Sequence, residues 1–338
     1  VGARYLPSPE LSISFKFDDL CRSPEDIDEA GPQAITLGSR PANLKLTKPM
    51  PTLILRSRTK TLLLEKPRLL GVVNVTPDSF SGDGLHGSPE KAAAQGLAML
   101  DAGADGLDLG GESTGPGSTG VSLADELQRV LPVLRALREK TEAWISVDTY
   151  KAEVARQALE SGADAINDVT ALRGDPKMAG VIAESGVPVF LMYAKDDSPR
   201  TTADLIEYDD VVATVRSFFE QRITFAESAG IHRERIVLDP GMGMFVSADP
   251  TYSFELVRRL SELVELGCPL LVGPSRKSFL AKVSAGRTLS VQERLLPGLT
   301  TAALAAHNGA HLIRMHDVPE ARLVLDTLAQ LHSNTATK

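Results

Sequence analysis

From Leu69 onward, short apolar and β-branched runs alternate with longer stretches whose apolar residues recur every three to four positions. The short runs are LLGVVNV (69–75), GLDLGG (106–111), WISVDT (144–149), AINDV (165–169), VPVFLMY (187–193), RIVLDPG (235–241), PLLVGPS (269–275) and HLIRMHD (311–317). They predict eight strands. The stretch SPEKAAAQGLAMLDAGA (88–104) predicts a helix with Ser88 as N-cap and Pro89 in its first turn. The echoes DAGAD, ESGAD and HNGAH each set a glycine at a helix end before the next strand. Apolar strands alternating with helices imply a parallel sheet covered on its outside. Eight such units in roughly 265 residues make the fold class α/β, a closed TIM (β/α)8 barrel, with a doubly wound open sheet as the alternative. Residues 1–66 read differently. They are proline-rich, carry the acidic cluster SPEDIDEAG, and offer only short candidate strands such as LSISFKF and TLILRS. The expected organisation is an N-terminal extension (1–66) packing on a barrel (67–332), then a flexible tail (333–338).

The chain has 338 residues and a formal net charge of −8. This balance argues against a broad nucleic-acid or anionic-membrane surface, so any anion site must be local. Cys21 and Cys268 lie far apart with no C-x-x-C spacing. That fits a reducing, cytoplasmic compartment and offers no metal-thiolate site. No apolar stretch approaches the roughly 20 residues of a transmembrane helix, and the first residues lack a signal-peptide pattern. The turn GGESTGPGSTG is neither a G-x-G-x-x-G opening a helix nor a Walker loop, so dinucleotide and nucleotide readings lose their main support.

Polar residues cluster at the carboxyl ends of the predicted strands: Asn74, with Thr76 and Asp78 beyond; Glu112, Ser113 and Thr114; Asp148 and Thr149; Asn167 and Asp168; Asp239; Ser275, Arg276, Lys277 and Ser278; Arg314 and His316. Each alone is an ordinary turn or cap residue. Together they would converge on one rim of a barrel, where such folds build their sites. Asp148, Asn167 and Asp239 could accept along the N–H edge of a flat heterocycle while Lys277 meets a carbonyl. Arg314, His316 and Asn74 suit a phosphate or diphosphate with its magnesium ion. Leu312, Arg314 and His316 share one face of their strand, and the plainer alternative there is an arginine bridged to a carboxylate at a sheet edge beside a histidine satisfied by backbone.

The motifs GVVNVTPDSF, GGEST, SVDTYK, INDV, LDPG, SRKS and IRMHDV, in this order, closely resemble those of the dihydropteroate synthase family over residues 68–332. The resemblance implies a TIM-barrel transferase and sulfonamide target that joins 6-hydroxymethyl-7,8-dihydropterin diphosphate to 4-aminobenzoate. It also implies that Asp148, Asn167, Asp239 and Lys277 hold the pterin. Asn74, Thr114, Arg314 and His316 would hold diphosphate, with Asn74 also at Mg²⁺; Ser278, Thr114 and Pro116 would face the aminobenzoate. Asp148, Lys277, Arg314 and His316 carry the catalytic expectations, and the family is usually a homodimer through outer helices.

Four departures stand out. Gly115 occupies the place of an arginine on a mobile family loop, a loss worth about 3 kcal/mol in a transition state. DPGMGMFV puts Met242 and Met244 where aromatics are usual, and methionines stack less specifically. SFSGDG shifts Asp83 by one position, and LMYAKD stands where His-Met is common. The pterin half thus reads as intact and the aminobenzoate half as altered. The alternatives are a catalytically weak pterin-binding paralog and a pterin-dependent methyltransferase.

Overall fold

The computed structural model describes residues 53–75, 88–283 and 286–332. Thr76, Asp78 and Asp83, the candidate strand LSISFKF and the tail 333–338 lie outside the described residues. Eight parallel strands form one sheet: β3 (Arg68–Asn74), β4 (Gly106–Gly110), β5 (Trp144–Asp148), β6 (Ala165–Asp168), β7 (Val189–Met192), β8 (Ile236–Asp239), β9 (Leu271–Val272) and β10 (Leu312–Met315). Their spatial order is β8-β7-β6-β5-β4-β3-β10-β9. A parallel bridge between Leu238 and Leu270 joins the two ends and closes the ring. Each of the eight apolar runs read from the sequence therefore supplies a strand of a (β/α)8 barrel.

Before the barrel comes an antiparallel hairpin of β1 (Leu53–Arg56) and β2 (Thr61–Leu64). Its Leu55 and Leu64 are fully buried against Leu70, Trp144, Ala165, Phe190, Val237, Leu271 and Leu312. These are inward-facing residues near the amino ends of seven barrel strands, so the hairpin stoppers the barrel from below.

The outward faces of the strands meet the helices. Leu69, Val73, Leu107, Leu109, Ile145 and Val147 pack in one large cluster with Val130, Leu134 and Leu137 of α2 (Leu123–Arg138) and Ala155 of α3 (Ala152–Glu160). Helix α1 (Pro89–Asp101) is capped by Ser88, whose side chain accepts from the Lys91 N–H. Gly103, Gly162 and Gly309, at the helix ends anticipated from the repeated echoes, have φ of +99°, +101° and +108°. That region disfavours other residues, which explains the recurrence. The remaining helices are α4 (Met178–Ser185), α5 (Val211–Ser228), α6 (Pro250–Arg258), α7 (Ser261–Val264), α8 (Leu295–His307) and α9 (Val318–His332). Among the described residues no helix is long and apolar enough to cross a membrane.

Candidate active site

Side chains alternate along a strand, so residues two and four positions above the apolar floor also face inward. Two above Trp144, Ala165, Val237 and Leu312 come Ser146, Asn167, Asp239 and Arg314; two above Gly106 comes Asp108. Two positions further along β3, β5 and β10 come Asn74, Asp148 and His316. The interior thus passes from oily to polar towards the carboxyl ends.

Asp108 is the hub of the deep layer. It accepts from Ser146 Oγ at 2.6 Å, from Asn167 Nδ2 at 3.0 Å and from Arg314 Nη1 at 3.1 Å. Arg314 Nη2 donates to Asp239 at 3.0 Å, so one guanidinium bridges two buried carboxylates. This realises the carboxylate-bridged alternative for Arg314, inside the barrel and not at a sheet edge. Gly273 makes room for it: a Cβ there would lie 3.1 Å from Arg314 Nε. Asn167 is 0 % exposed, and its Oδ1 is buried without a partner among the described residues. An orphaned buried acceptor costs stability unless something donates to it. Asp148 is the β5 residue in register with Asn167.

Burial pushes the Asp148 carboxyl up to about 8, with the Asp108 charge adding and Arg314 opposing. Burial likewise pulls the Lys277 ammonium down to about 8; Arg314 adds to this while Asp239 and Asp148 oppose it. Asp239 is raised by burial against the pull of Arg314. Its Oδ1 also accepts the Gly241 N–H at 2.9 Å, so it braces its own turn as well as facing the interior.

His316 sits at the mouth. Its Nδ1 is 2.8 Å from Ser275 Oγ, and its Nε2 is 3.3 Å from Asn74 Nδ2. Ser275 Oγ also accepts the His316 backbone N–H at 3.1 Å. With Nδ1–H donating to Ser275, Nε2 accepts from Asn74, a proton assignment consistent with every contact. Burial, then the charge of Arg276, lowers the imidazole to about 4, so it is neutral near pH 7.

Lys277 follows Arg276, which adopts φ of +58°. Its ammonium lies 5.0 Å from the centre of the Phe245 ring, a cation–π contact. The aromatic surface read as lost with Met242 and Met244 is thus present one residue later. Met242 is buried in the main core, and a Cβ on Gly243 would stand 2.9 Å from Ser278 Oγ, bringing Ser278 against this loop.

Thr114 and Pro116 lie on the loop after β4. Gly115, lacking the side chain of the usual arginine, closes a turn whose carbonyl accepts Ser118 Oγ at 2.6 Å and Ser118 N at 3.2 Å. Glu112 turns away from the barrel axis to Lys151 (2.5 Å), Tyr150 (3.3 Å) and Arg200. Asp168 likewise serves local structure, accepting from Thr170 and Leu172 in a turn where Ala171 and Leu172 have φ of +50° and +64°.

Asn74, Asp148, Asn167, Asp239, Lys277, Arg314 and His316 therefore belong to one assembly. Sequence reading passed over Asp108, Ser146, Phe245 and Arg200. The available signal for Asp108 was a carboxylate inside an apolar strand, on the same face as two glycines.

The sequence profile described as "Pterin binding enzyme" matches residues 70–316. The dihydropteroate synthase of Escherichia coli is 45% identical over 262 residues, which are 77% of this chain and 90% of that one. A solved structure of Xanthomonas albilineans dihydropteroate synthase with 4-aminobenzoic acid is 42% identical, with a TM-score of 0.78 over 84% of this chain and 99% of that one. The same enzyme in complex with 7,8-dihydropteroate aligns at 40% identity and a TM-score of 0.74, over 83% and 99%.

Proposed function

The chain belongs to the pterin-binding enzyme family, and on that premise we propose that it is a dihydropteroate synthase whose pterin is held by Asp148, Asn167, Asp239 and Lys277. It condenses 6-hydroxymethyl-7,8-dihydropterin diphosphate with 4-aminobenzoate and releases diphosphate. The observation that carries the pterin assignment is the orphaned Asn167 Oδ1 beside Asp148 and above the apolar floor. A pterin presents an amino group and ring N–H groups along one edge, the donors such acceptors lack, while Lys277 suits the carbonyl.

The leaving group would lie against Asn74, Thr114, Arg314 and His316. Arg314 already has both terminal nitrogens on carboxylates. Its first contribution is to keep Asp108 and Asp239 tolerable in a dry interior. No nucleophilic side chain is required if diphosphate departs first and the arylamine captures a pterin-methyl cation. Asp148 then steadies positive charge on the ring, and Ser278, Thr114 and Pro116 flank the incoming aminobenzoate.

Among the described residues, no three His, Cys, Asp or Glu side chains gather round an ion. Mg²⁺ often takes only one or two protein oxygens and completes its shell with water and phosphate. Asn74 Oδ1 fits that part, and a bound Mg²⁺ would offset charge on the departing diphosphate. Exposed Leu296 and Leu304 on α8, with Leu323 and Leu331 on α9, offer a second copy an apolar helical face, which supports the homodimer reading. The two widely spaced cysteines support a cytoplasmic setting.

The decisive experiment mixes the chain with pterin diphosphate, Mg²⁺ and labelled 4-aminobenzoate. Labelled dihydropteroate is expected. Pterin binding without turnover would favour a weak paralog, and methyl transfer from methyltetrahydrofolate would select the methyltransferase.

A further inference from the structure

The segment after β7, residues 194–206, reaches away from its own strand. Thr201 is 4 % exposed, and it touches two loops at once. Its N–H donates to the Thr114 carbonyl at 3.1 Å, and its Oγ1 donates to the Met244 carbonyl at 2.8 Å. In sheet order, β5 and β6 separate β7 from β4, so the segment spans part of the mouth to meet the β4 loop. It is stitched to the β8 side as well, through Lys195 N to Phe245 O at 2.9 Å and Ile206 N to Ser247 Oγ at 3.1 Å.

Arg200, beside Thr201, is ion-paired to the buried Glu112, at the root of the β4 loop. Its Nη2 is 3.5 Å from Tyr150 Oη. The guanidinium lies against Gly120 at the far end of that loop, where a Cβ would come within 3.1 Å of Nη2. Glu112 also receives Lys151, which pairs in turn with Glu126 of α2. The network joins two carboxylates to two cations, so the charge of Arg200 is already matched. Arg200 is therefore suited to bracing both ends of the β4 loop, not to seizing a substrate anion. The need for a brace is local: the loop runs through Gly115, Gly117 (φ +77°) and Gly120, which give it little stiffness of its own.

We propose that Arg200 is a positioning residue for the aminobenzoate side of the site, holding Thr114 in place through Glu112 and the Thr201 contact. This rests on the synthase reading above, and the pterin pocket takes no part in it.

The test measures kcat and both KM values for the full chain and for R200A, R200K, T201V and E112Q. R200A is expected to raise the 4-aminobenzoate KM about tenfold and the pterin diphosphate KM by a smaller factor of about two to three, because Thr114 flanks both substrates while Asn74, Arg314 and His316 still hold the diphosphate. R200K should recover part of the loss. E112Q should shift the same KM, and R200A/E112Q should be no worse than the poorer single variant. If R200A does not fold, T201V decides: it keeps the backbone N–H on the Thr114 carbonyl but strips the hydroxyl contacts to Met244, Asp196 and Lys195 that seat it, with an aminobenzoate KM rise of about threefold expected, larger than that for pterin diphosphate. Unchanged KM values, or equal rises for both substrates, would overturn the assignment. A wild-type chain that forms no dihydropteroate would instead overturn the synthase reading, and this proposal with it.

Discussion

Asp317 grips the guanidinium of Arg276 with both carboxylate oxygens, at 2.6 and 3.3 Å, while the Arg276 backbone holds a left-handed φ of +58°. Left-handed backbone costs a non-glycine residue roughly 1–2 kcal/mol. The turn sends Lys277 towards Phe245 and the site. Asp317→Ala should therefore lower kcat/KM by about tenfold through a less well-aimed lysine, with only a small change in thermal stability, because the pair is partly exposed. Arg276→Gly should keep the turn and recover most of that activity; enzyme assays and thermal melts on the two variants check this.

Asp148→Asn removes the carboxylate next to Asn167. Turnover should fall by about a hundredfold or more, as expected when a preorganised charge near a developing cation is lost. Pterin binding, followed by calorimetry, should weaken far less than turnover. Near-normal turnover would take Asp148 out of the mechanism.

The same two ionisations shape the pH profile. Asp148 is raised to about 8 and Lys277 lowered to about 8. The carboxylate form is gained as pH rises and the ammonium is lost over the same range, so kcat/KM should trace a narrow bell centred near pH 8. Asp148→Asn should erase the acidic limb and keep the alkaline one. A flat profile from pH 6 to pH 9 would show that neither group titrates in the rate.

Asp108→Ala should be the most damaging single change to folding in the deep layer. It strips acceptors from Ser146, Asn167 and Arg314 together and leaves a buried guanidinium with one partner. Breaking a buried pair in this way costs about 3–5 kcal/mol, measurable as a lower midpoint in urea unfolding. Asp108→Asn should fall in between.

His311 is 0 % exposed; its Nδ1 accepts the Leu270 N–H at 3.1 Å and its Nε2 is buried without a partner among the described residues. Burial holds it down to about 4. A histidine depressed on folding leaves stability intact above its unfolded value near 6.5 and withdraws it as pH falls towards 4. Over that window one such group removes about 3 kcal/mol. His311→Gln, which can still accept at the same place, should show a correspondingly shallower acid loss in denaturant midpoints.

The strands were legible because each is a short apolar run closed by a polar residue, and that same rule found Asp148, Asn167, Asp239, Arg314 and His316. Asp108 escaped because it lies mid-strand between Gly106 and Gly110, where inward and outward faces cannot be told apart until the register against β3 and β5 is known. Arg200 was beyond reach of local pattern: its carboxylate partner is on another loop, and nothing in SPRTT marks it. The strand candidate TLILRS was visible, whereas its place beneath the barrel depends on contacts with seven later strands.

A cask is only as tight as its shortest stave. Strand β9 is two residues long and is joined on one side by the single Leu238–Leu270 bridge, and from it hangs the turn that carries Arg276 and Lys277. Slow breathing of the wall should begin at that seam, with amide deuteration at Leu271 and Val272 outpacing that at Ile145 and Val147. The lysine can then give way to an arriving ring while the opposite staves stay shut.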